Sequence, residues 1–154
     1  MDLRELYQDV ILDHARHPRN FRGLPDASHL AHGHNPLCGD RVTVFMKIKA
    51  DHIAAVSFEG RGCAISTASA SLMTEVLTGL SLSQAEAMFQ SFHARVTTGE
   101  TIAVEADLEE AAERLEPLTG VRTYPARVKC ATLAWHAFDA ALKGGVVAGI
   151  VKTE

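Results

Sequence analysis

The spacing of apolar residues follows a helical period at the start of the chain. Leu3, Leu6 and Val10 stand at i, i+3 and i+7, which is the spacing of one helix face. Pro18 lacks a backbone N–H and restricts the residue before it. The pattern therefore predicts an amphipathic helix over residues 2–17.

A strand pattern follows an irregular stretch. Residues 18–37 are rich in proline and glycine, which predicts irregular backbone with room for a short edge strand. Residues 41–49 alternate between the two faces of a strand, and residues 53–58 provide a partner across a turn at 50–52. We therefore expect an antiparallel hairpin whose first strand has one mainly aliphatic face, made of Val42, Val44, Met46 and Ile48.

The rest of the chain is mainly helical in its pattern. Residues 95–106 are ambiguous between loop and short strand, and residues 118–121 extend the helix before them. The predicted helices cover residues 65–78, 81–94, 107–116 and the segment from Pro125 to the glycines at 144 and 145.

Composition limits the class of protein. A chain of 154 residues that is 47% hydrophobic suits one domain, here residues 1–154. Its net charge of -4 argues against a nucleic-acid partner. No apolar run of about 18 residues is present, so no membrane partner is expected. The polar N-terminus lacks the apolar core of a signal peptide, which predicts a cytoplasmic protein.

The chemistry centres on three cysteines, which a reducing compartment keeps as free thiols. Cys38 precedes a strand, Cys63 precedes a helix, and Cys130 lies early in the last helix. Such positions can meet at one end of a small domain, and Asp40 would complete four ligands for zinc. The intervals between the cysteines do not follow the usual close pairing of zinc ligands. Buried cysteines that simply pack as apolar residues therefore stay an open alternative.

Charge balance supports a shared site. Three thiolates and one carboxylate around a divalent ion leave the site with a net negative charge, which nearby cations would stabilise. Each cysteine segment carries such a cation, although each is equally well explained as a solvated charge: Arg41, Arg61, Arg127 and Lys129. A loop with three histidines has no specific metal spacing, and we expect these side chains on the surface: His29, His32 and His34.

Four stretches together resemble a known family. They read LYQDVILDHARHPRN at 6–20, HNPLCGDRV at 34–42, EGRGCAISTASASLMT at 59–74 and PARVKCATLAW at 125–135. They resemble the U-type iron–sulfur cluster assembly family, which includes IscU and the NifU N-terminal domain, and more narrowly its SufU branch. The resemblance implies an α+β fold with a small antiparallel β-sheet, helices packed on one face and a metal site at one end.

The resemblance also implies the chemistry. It implies zinc held by Cys38, Asp40, Cys63 and Cys130, with Cys38 accepting persulfide sulfur from a SufS-type cysteine desulfurase. The sulfur would then pass to downstream components of the SUF system. Arg127 matches an arginine of the SufU pattern and is a candidate catalytic residue. Since Cys38 cannot be fully a metal ligand and a sulfur acceptor at once, Asp40 is expected to help hold the ion.

Three departures separate the chain from the IscU branch. Lys129 stands where that branch has a histidine, about twenty residues are inserted around 95–120, and residues 124–127 read YPAR where a chaperone motif would stand. These departures favour sulfur relay. Two alternatives remain: a scaffold that carries a transient [2Fe–2S] cluster, and a domain in which zinc only supports folding.

Overall fold

The computed structural model describes residues 3–152, and the side chains of residues 4–145. Two 3-10 helices, Ala106–Leu108 and Glu116–Thr123, flank the fourth α-helix. No helix within the described residues is long and apolar enough to cross a bilayer. The regular elements are α1 Leu3–Arg16, β1 His29–Asn35, β2 Asp40–Lys49, β3 His52–Arg61, α2 Ala64–Leu77, α3 Leu82–Thr97, α4 Glu109–Glu113, α5 Pro125–Gly144 and β4 Val146–Lys152.

The helix predictions agree closely with these bounds. The helix expected over 2–17 is α1, with residue 2 outside the described residues. Ser81 and Gln84 form a reciprocal capping box at the start of α3. The helix α3 continues to Thr97, so the first residues of the ambiguous 95–106 stretch are helical. The helix expected over 107–116 is divided between α4 and 3-10 turns.

The sheet confirms the predicted α+β class and adds two strands. Its order is β3-β2-β1-β4, with antiparallel pairing except that β4 joins β1 in parallel. Residues 18–37 are thus not irregular throughout, and β1 is an inner strand rather than a short edge strand. Long-range pairing with β2 and β4 stabilises this histidine-rich segment, which has little apolar alternation of its own.

The hairpin turn is tighter than expected. Lys49 pairs directly with His52, so the turn contains two residues and not three. Both Ala50 and Asp51 have positive φ, 50° and 60°, as the type I′ turn of two-residue hairpins requires. The partner strand also runs on to Arg61, beyond the predicted 53–58, which extends the sheet towards Cys63.

One face of the sheet is buried beneath α2 and α5. Val42, Val44 and Met46 are 6%, 0% and 0% exposed, as the alternation predicts. Gly33 lies where α5 approaches most closely, because a Cβ there would stand 3.0 Å from Leu133 Cδ1. This close packing places the first turns of α5 over the end of β1 and β2.

Candidate metal site

A short exposed loop delivers the first two candidate ligands. Cys38 lies in the loop between β1 and β2, and Asp40 is the first residue of β2. Gly39 has a φ of +74°, a conformation that glycine adopts without strain, and its N–H donates to the Asn35 carbonyl at 2.8 Å. The turn leaves Cys38 exposed and Asp40 fully buried.

The start of α2 is joined to this turn through Asp40. The Cys63 N–H donates to Asp40 Oδ1 at 2.9 Å. A Cβ on Gly62 would stand 2.5 Å from the same oxygen, so a larger residue there would displace the carboxylate. Cys63 is the N-cap of α2, and its Sγ accepts from the Ser66 N–H at 3.5 Å. The half-buried thiol therefore caps its own helix.

Helix α5 supplies the third cysteine from the opposite side. Cys130 is fully buried, and its Sγ lies 3.5 Å from Cys38 Sγ and 3.6 Å from the Ala126 carbonyl. Burial, followed by hydrogen bonding with Asp40 and with Cys38, raises the pKa of the Cys130 thiol above its ordinary value.

The candidate ligand atoms of Cys38, Asp40 and Cys130 all lie within 4.8 Å of one another. Cys63 is not part of that group, although its thiol interacts with Cys130. The fold therefore brings three of the four sequence-predicted ligands together and places the fourth beside them. Cys63 lies outside the group of three, and its sulfur faces the Ser66 amide instead.

Asn35 organises the site and was not singled out from the sequence. This buried side chain donates from Nδ2 to Asp40 Oδ2 at 3.3 Å and to Cys130 Sγ at 3.6 Å. Its Oδ1 accepts from the Leu37 N–H at 3.2 Å. One side-chain amide thus contacts the loop that carries Cys38, the start of β2 and helix α5, but not the start of α2. The sequence pattern that could have identified Asn35 is its spacing from Ala31, which places both residues on the buried face of β1.

The donor set fits a zinc ion. Asp40 is 0% exposed, and within residues 3–152 no lysine or arginine forms an ion pair with it. A buried carboxylate without a cation is costly, and a divalent ion would remove that cost. Tetrahedral zinc with thiolate and carboxylate ligands separates the ligand atoms by about 3.5–3.8 Å. The 3.5 Å between Cys38 Sγ and Cys130 Sγ agrees with this value.

Arg127 lies at the exposed edge of the same site. A hydrogen bond with Cys130, followed by the charges of Cys63 and Cys130, raises the pKa of the Arg127 guanidinium. It stands one turn before Cys130 on α5 and remains exposed. Arg41 and Arg61 are also exposed and face each other across β2 and β3. Arg127 thus interacts with the thiols of the site, while a stabilising role of Arg41, Arg61 and Lys129 stays a prediction.

The histidines of β1 take no part in this group. His32 is exposed and bonds through Nδ1 to Thr43 Oγ1 at 2.7 Å, while His29 bonds to Ser28. Across the described part of the chain, the one cluster with metal-ligand spacing is that of Cys38, Asp40 and Cys130.

Comparison with known proteins assigns the family. The family model described as the NifU-like N terminal domain matches residues 6–144. The chain belongs to this family. Its relatives include proteins named as iron–sulfur cluster assembly scaffolds, so the chain is a member of an iron–sulfur cluster assembly family, as the sequence motifs indicated.

Two bacterial relatives span nearly the whole NifU-like chain. It is 40% identical over 138 residues, 90% of each chain, to the zinc-dependent sulfurtransferase SufU of Bacillus subtilis. It is 38% identical over 141 residues, 92% of this chain and 85% of the other, to the iron–sulfur cluster assembly scaffold protein IscU of Streptococcus pyogenes.

Solved structures agree on the fold. The crystal structure of a protein described as an iron–sulfur cluster assembly scaffold for the SUF system of Fervidobacterium islandicum matches with a TM-score of 0.78. That match has 29% identity and covers 92% of this chain and 99% of the other. A NifU-like N-terminal structure from Brucella abortus matches with a TM-score of 0.79 at 23% identity, covering 92% and 94%, and supports the fold alone.

Proposed function

We propose that this protein is a zinc-dependent sulfurtransferase of iron–sulfur cluster assembly, with Cys38 as its sulfur acceptor. One observation carries the proposal: of the three thiols in the site, only that of Cys38 is exposed, while Cys130 is buried and Cys63 is half-buried. A donor protein can reach Cys38 without opening the fold. The 40% identity to a relative named zinc-dependent sulfurtransferase supports the proposed activity.

The transfer is a thiol–disulfide exchange. The Cys38 thiolate attacks the outer sulfur of a cysteine persulfide on the donor. A new S–S bond forms to Cys38 while the S–S bond of the donor breaks, and the donor cysteine leaves as a thiolate. Electrons balance without an external oxidant or reductant, because one persulfide is consumed and one is formed.

Cys38, Asp40, Cys63 and Cys130 are the residues that would hold the zinc ion. Zinc bound there would keep its cysteine ligands deprotonated at neutral pH. Asp40 is held by the Cys63 N–H and by Asn35, so its carboxylate keeps its position while Cys38 reacts. The exposed Arg127 guanidinium would stabilise the anionic sulfur of the incoming or newly formed persulfide.

The donor in this proposal is a SufS-type cysteine desulfurase, and the products are passed to downstream SUF scaffold components. The proposal places the reaction in the cytoplasm, where a reducing environment keeps these thiols free.

Replacement of the acceptor tests this function. Cys38→Ala should abolish transfer of sulfur from a persulfide-loaded SufS-type desulfurase and stimulation of its turnover, because no other thiol of the site is exposed. Mass spectrometry of the persulfide and a sulfide-release assay measure both effects.

Arg127→Ala should slow transfer while zinc content is unchanged, and Asp40→Ala should chiefly lower zinc content. Full sulfur uptake by Cys38→Ala would contradict the proposal.

A second candidate function is a scaffold for a [2Fe–2S] cluster. It is favoured by the 38% identity to a relative named scaffold protein IscU, and thiolates suit iron–sulfur clusters as well as zinc. Anaerobic reconstitution with iron and sulfide distinguishes the two functions. A stable cluster that moves to an apo-acceptor, in a protein that leaves the desulfurase unstimulated, would favour the scaffold. A protein with neither activity would leave zinc a structural role.

A further inference from the structure

A groove of about 940 Å³ opens beside the metal site. It lies between α1, the first turn of α2, and the chain from the second 3-10 helix into α5. Ile11, Ile65 and Val121 give it an apolar lining, with Tyr7 and Tyr124 among the polar contributors. Its volume lies at the upper end of the range of ligand pockets. Among the described residues, neither the candidate metal ligands nor Asn35 lines this groove.

Among the described residues, the charges that line the groove are all positive. Arg4 and Arg127 line it, and no described aspartate or glutamate does, although the whole chain has a net charge of -4. Among the described residues, neither arginine forms an ion pair with a carboxylate. A ligand with negative charge is therefore complementary to this groove, whereas a basic one is not.

Arg4 occupies a place that helix stability does not favour. It lies in the first turn of α1, where the helix dipole prefers an acidic side chain. It is exposed, so packing does not explain it either. A cation that has no ion-pair partner among residues 3–152, and that works against the dipole of its own helix, is suited to a role in recognition.

The groove is continuous with the metal site through Arg127. This side chain lines the groove, stands one turn before Cys130 on α5, and interacts electrostatically with the Cys130 and Cys63 thiols. Tyr124, at the same end, is 63% exposed. A segment that lies in the groove and contacts Arg127 would therefore end beside the exposed Cys38.

We propose that the groove binds an acidic, partly apolar segment of the sulfur donor, and that this contact orients the donor towards Cys38. The inference rests on the proposed function for the identity of the donor. The groove supplies two cations for acidic side chains of the segment, Arg4 of α1 and Arg127 of α5, and an aliphatic lining for its apolar side chains.

Charge reversal of Arg4 tests the proposal. Arg4→Glu should weaken binding of a purified SufS-type desulfurase about tenfold or more, because a carboxylate would then face acidic side chains of the donor. The variant also suits the helix dipole, so a loss of binding does not reflect a loss of folding. Arg16→Glu is the matched control, since Arg16 is an exposed arginine on the same helix outside the groove. It should bind like the wild type.

A second variant closes the groove without touching its charges. Gly120 lines it, and a Cβ there meets no atom within 4 Å, so Gly120→Trp can add a large side chain at the groove without a clash at Cβ. It should weaken desulfurase binding to a similar extent. The wild-type affinity should also fall as salt rises from about 0.05 to about 0.5 M, since exposed charges are screened over that range.

The outcomes separate the inference from the proposed function. Isothermal titration of the desulfurase reports docking, and persulfide uptake at saturating donor reports chemistry at Cys38. Wild-type binding by both Arg4→Glu and Gly120→Trp would overturn the groove as a docking site while leaving sulfur transfer intact. A wild-type protein that binds the donor through the groove but never takes up sulfur would instead overturn the proposed function.

Discussion

At the scale of single residues, the site depends on one buried amide. Asn35 donates to Asp40 and to Cys130 and accepts from the Leu37 N–H. It therefore links the loop that carries Cys38 to the strand and to α5. Loss of a residue that orients metal ligands commonly weakens metal binding.

Replacement of Asn35 tests this role. We expect Asn35→Ala to lower zinc affinity about 10- to 100-fold, because Asp40 and Cys130 lose the group that orients them. Competition with a chromogenic zinc chelator measures the affinity. Asn20→Ala is the control, since it removes a hydrogen bond from a side-chain amide to Thr74 Oγ1, which lies outside the cluster. Equal zinc affinity in wild type and Asn35→Ala would show that Asn35 does not orient the ligands.

At the scale of elements, α2 and α5 are held together by small residues. Ser69 is 0% exposed. Its hydroxyl donates to the Ala131 carbonyl at 2.5 Å and accepts from Trp135 Nε1 at 3.1 Å. Small side chains on α2 permit this close approach, and the contact lies next to Cys130 in α5. The spacing of the two helices therefore sets where the third thiol stands.

Loss of that hydroxyl should weaken the whole domain. Ser69→Ala leaves the Trp135 indole N–H and the Ala131 carbonyl without their partner, so the free energy of unfolding should fall by about 1–3 kcal/mol. Urea denaturation followed by tryptophan fluorescence measures it. Thr67→Ala, on the same helix and only half-buried, should change stability much less. Wild-type stability in Ser69→Ala would mean that the hydroxyl bridge contributes nothing.

At the scale of the whole molecule, stability depends on a histidine buried between helices. His14 in α1 is 6% exposed, and its Nδ1 lies 2.7 Å from Ser71 Oγ of α2. Burial, followed by the charge of Arg19, lowers the pKa of His14 below its ordinary value, and the nearby Glu75 only partly opposes this. The folded protein therefore binds a proton at this site less readily than the unfolded chain does.

This difference predicts a loss of stability in mild acid. As pH falls below about 6.5, the unfolded state takes up the proton first, so the free energy of unfolding decreases. In metal-free protein, urea titrations at about pH 7.5 and about pH 5.5 should show this decrease, and His14→Gln should reduce it. His32→Gln, at an exposed position of β1, should keep the wild-type pH dependence. An unchanged pH dependence in His14→Gln would assign the acid sensitivity to other groups.

Local patterns predicted most elements because the physical cause of each is local. The stripe of α1, the alternation of β2 and the capping serine of α3 all act within one or two turns. The strand β1 was expected only as irregular backbone with a short edge strand, because its pairing partners are distant in sequence. Likewise β4 follows the glycines at 144 and 145 and becomes a strand through parallel pairing with β1.

The sequence by itself determined which residues are equipped for the chemistry: three free thiols and a carboxylate, each at the edge of a predicted element and each near a cation. Only the tertiary structure decided how they meet, since Cys130 reaches Cys38 through packing of α5 on the sheet. It also decided that Cys38 is the exposed thiol, that Cys63 caps α2, and that Asn35 joins the parts. Exposure and hydrogen-bond partners depend on contacts between distant segments, and local sequence patterns do not encode such contacts.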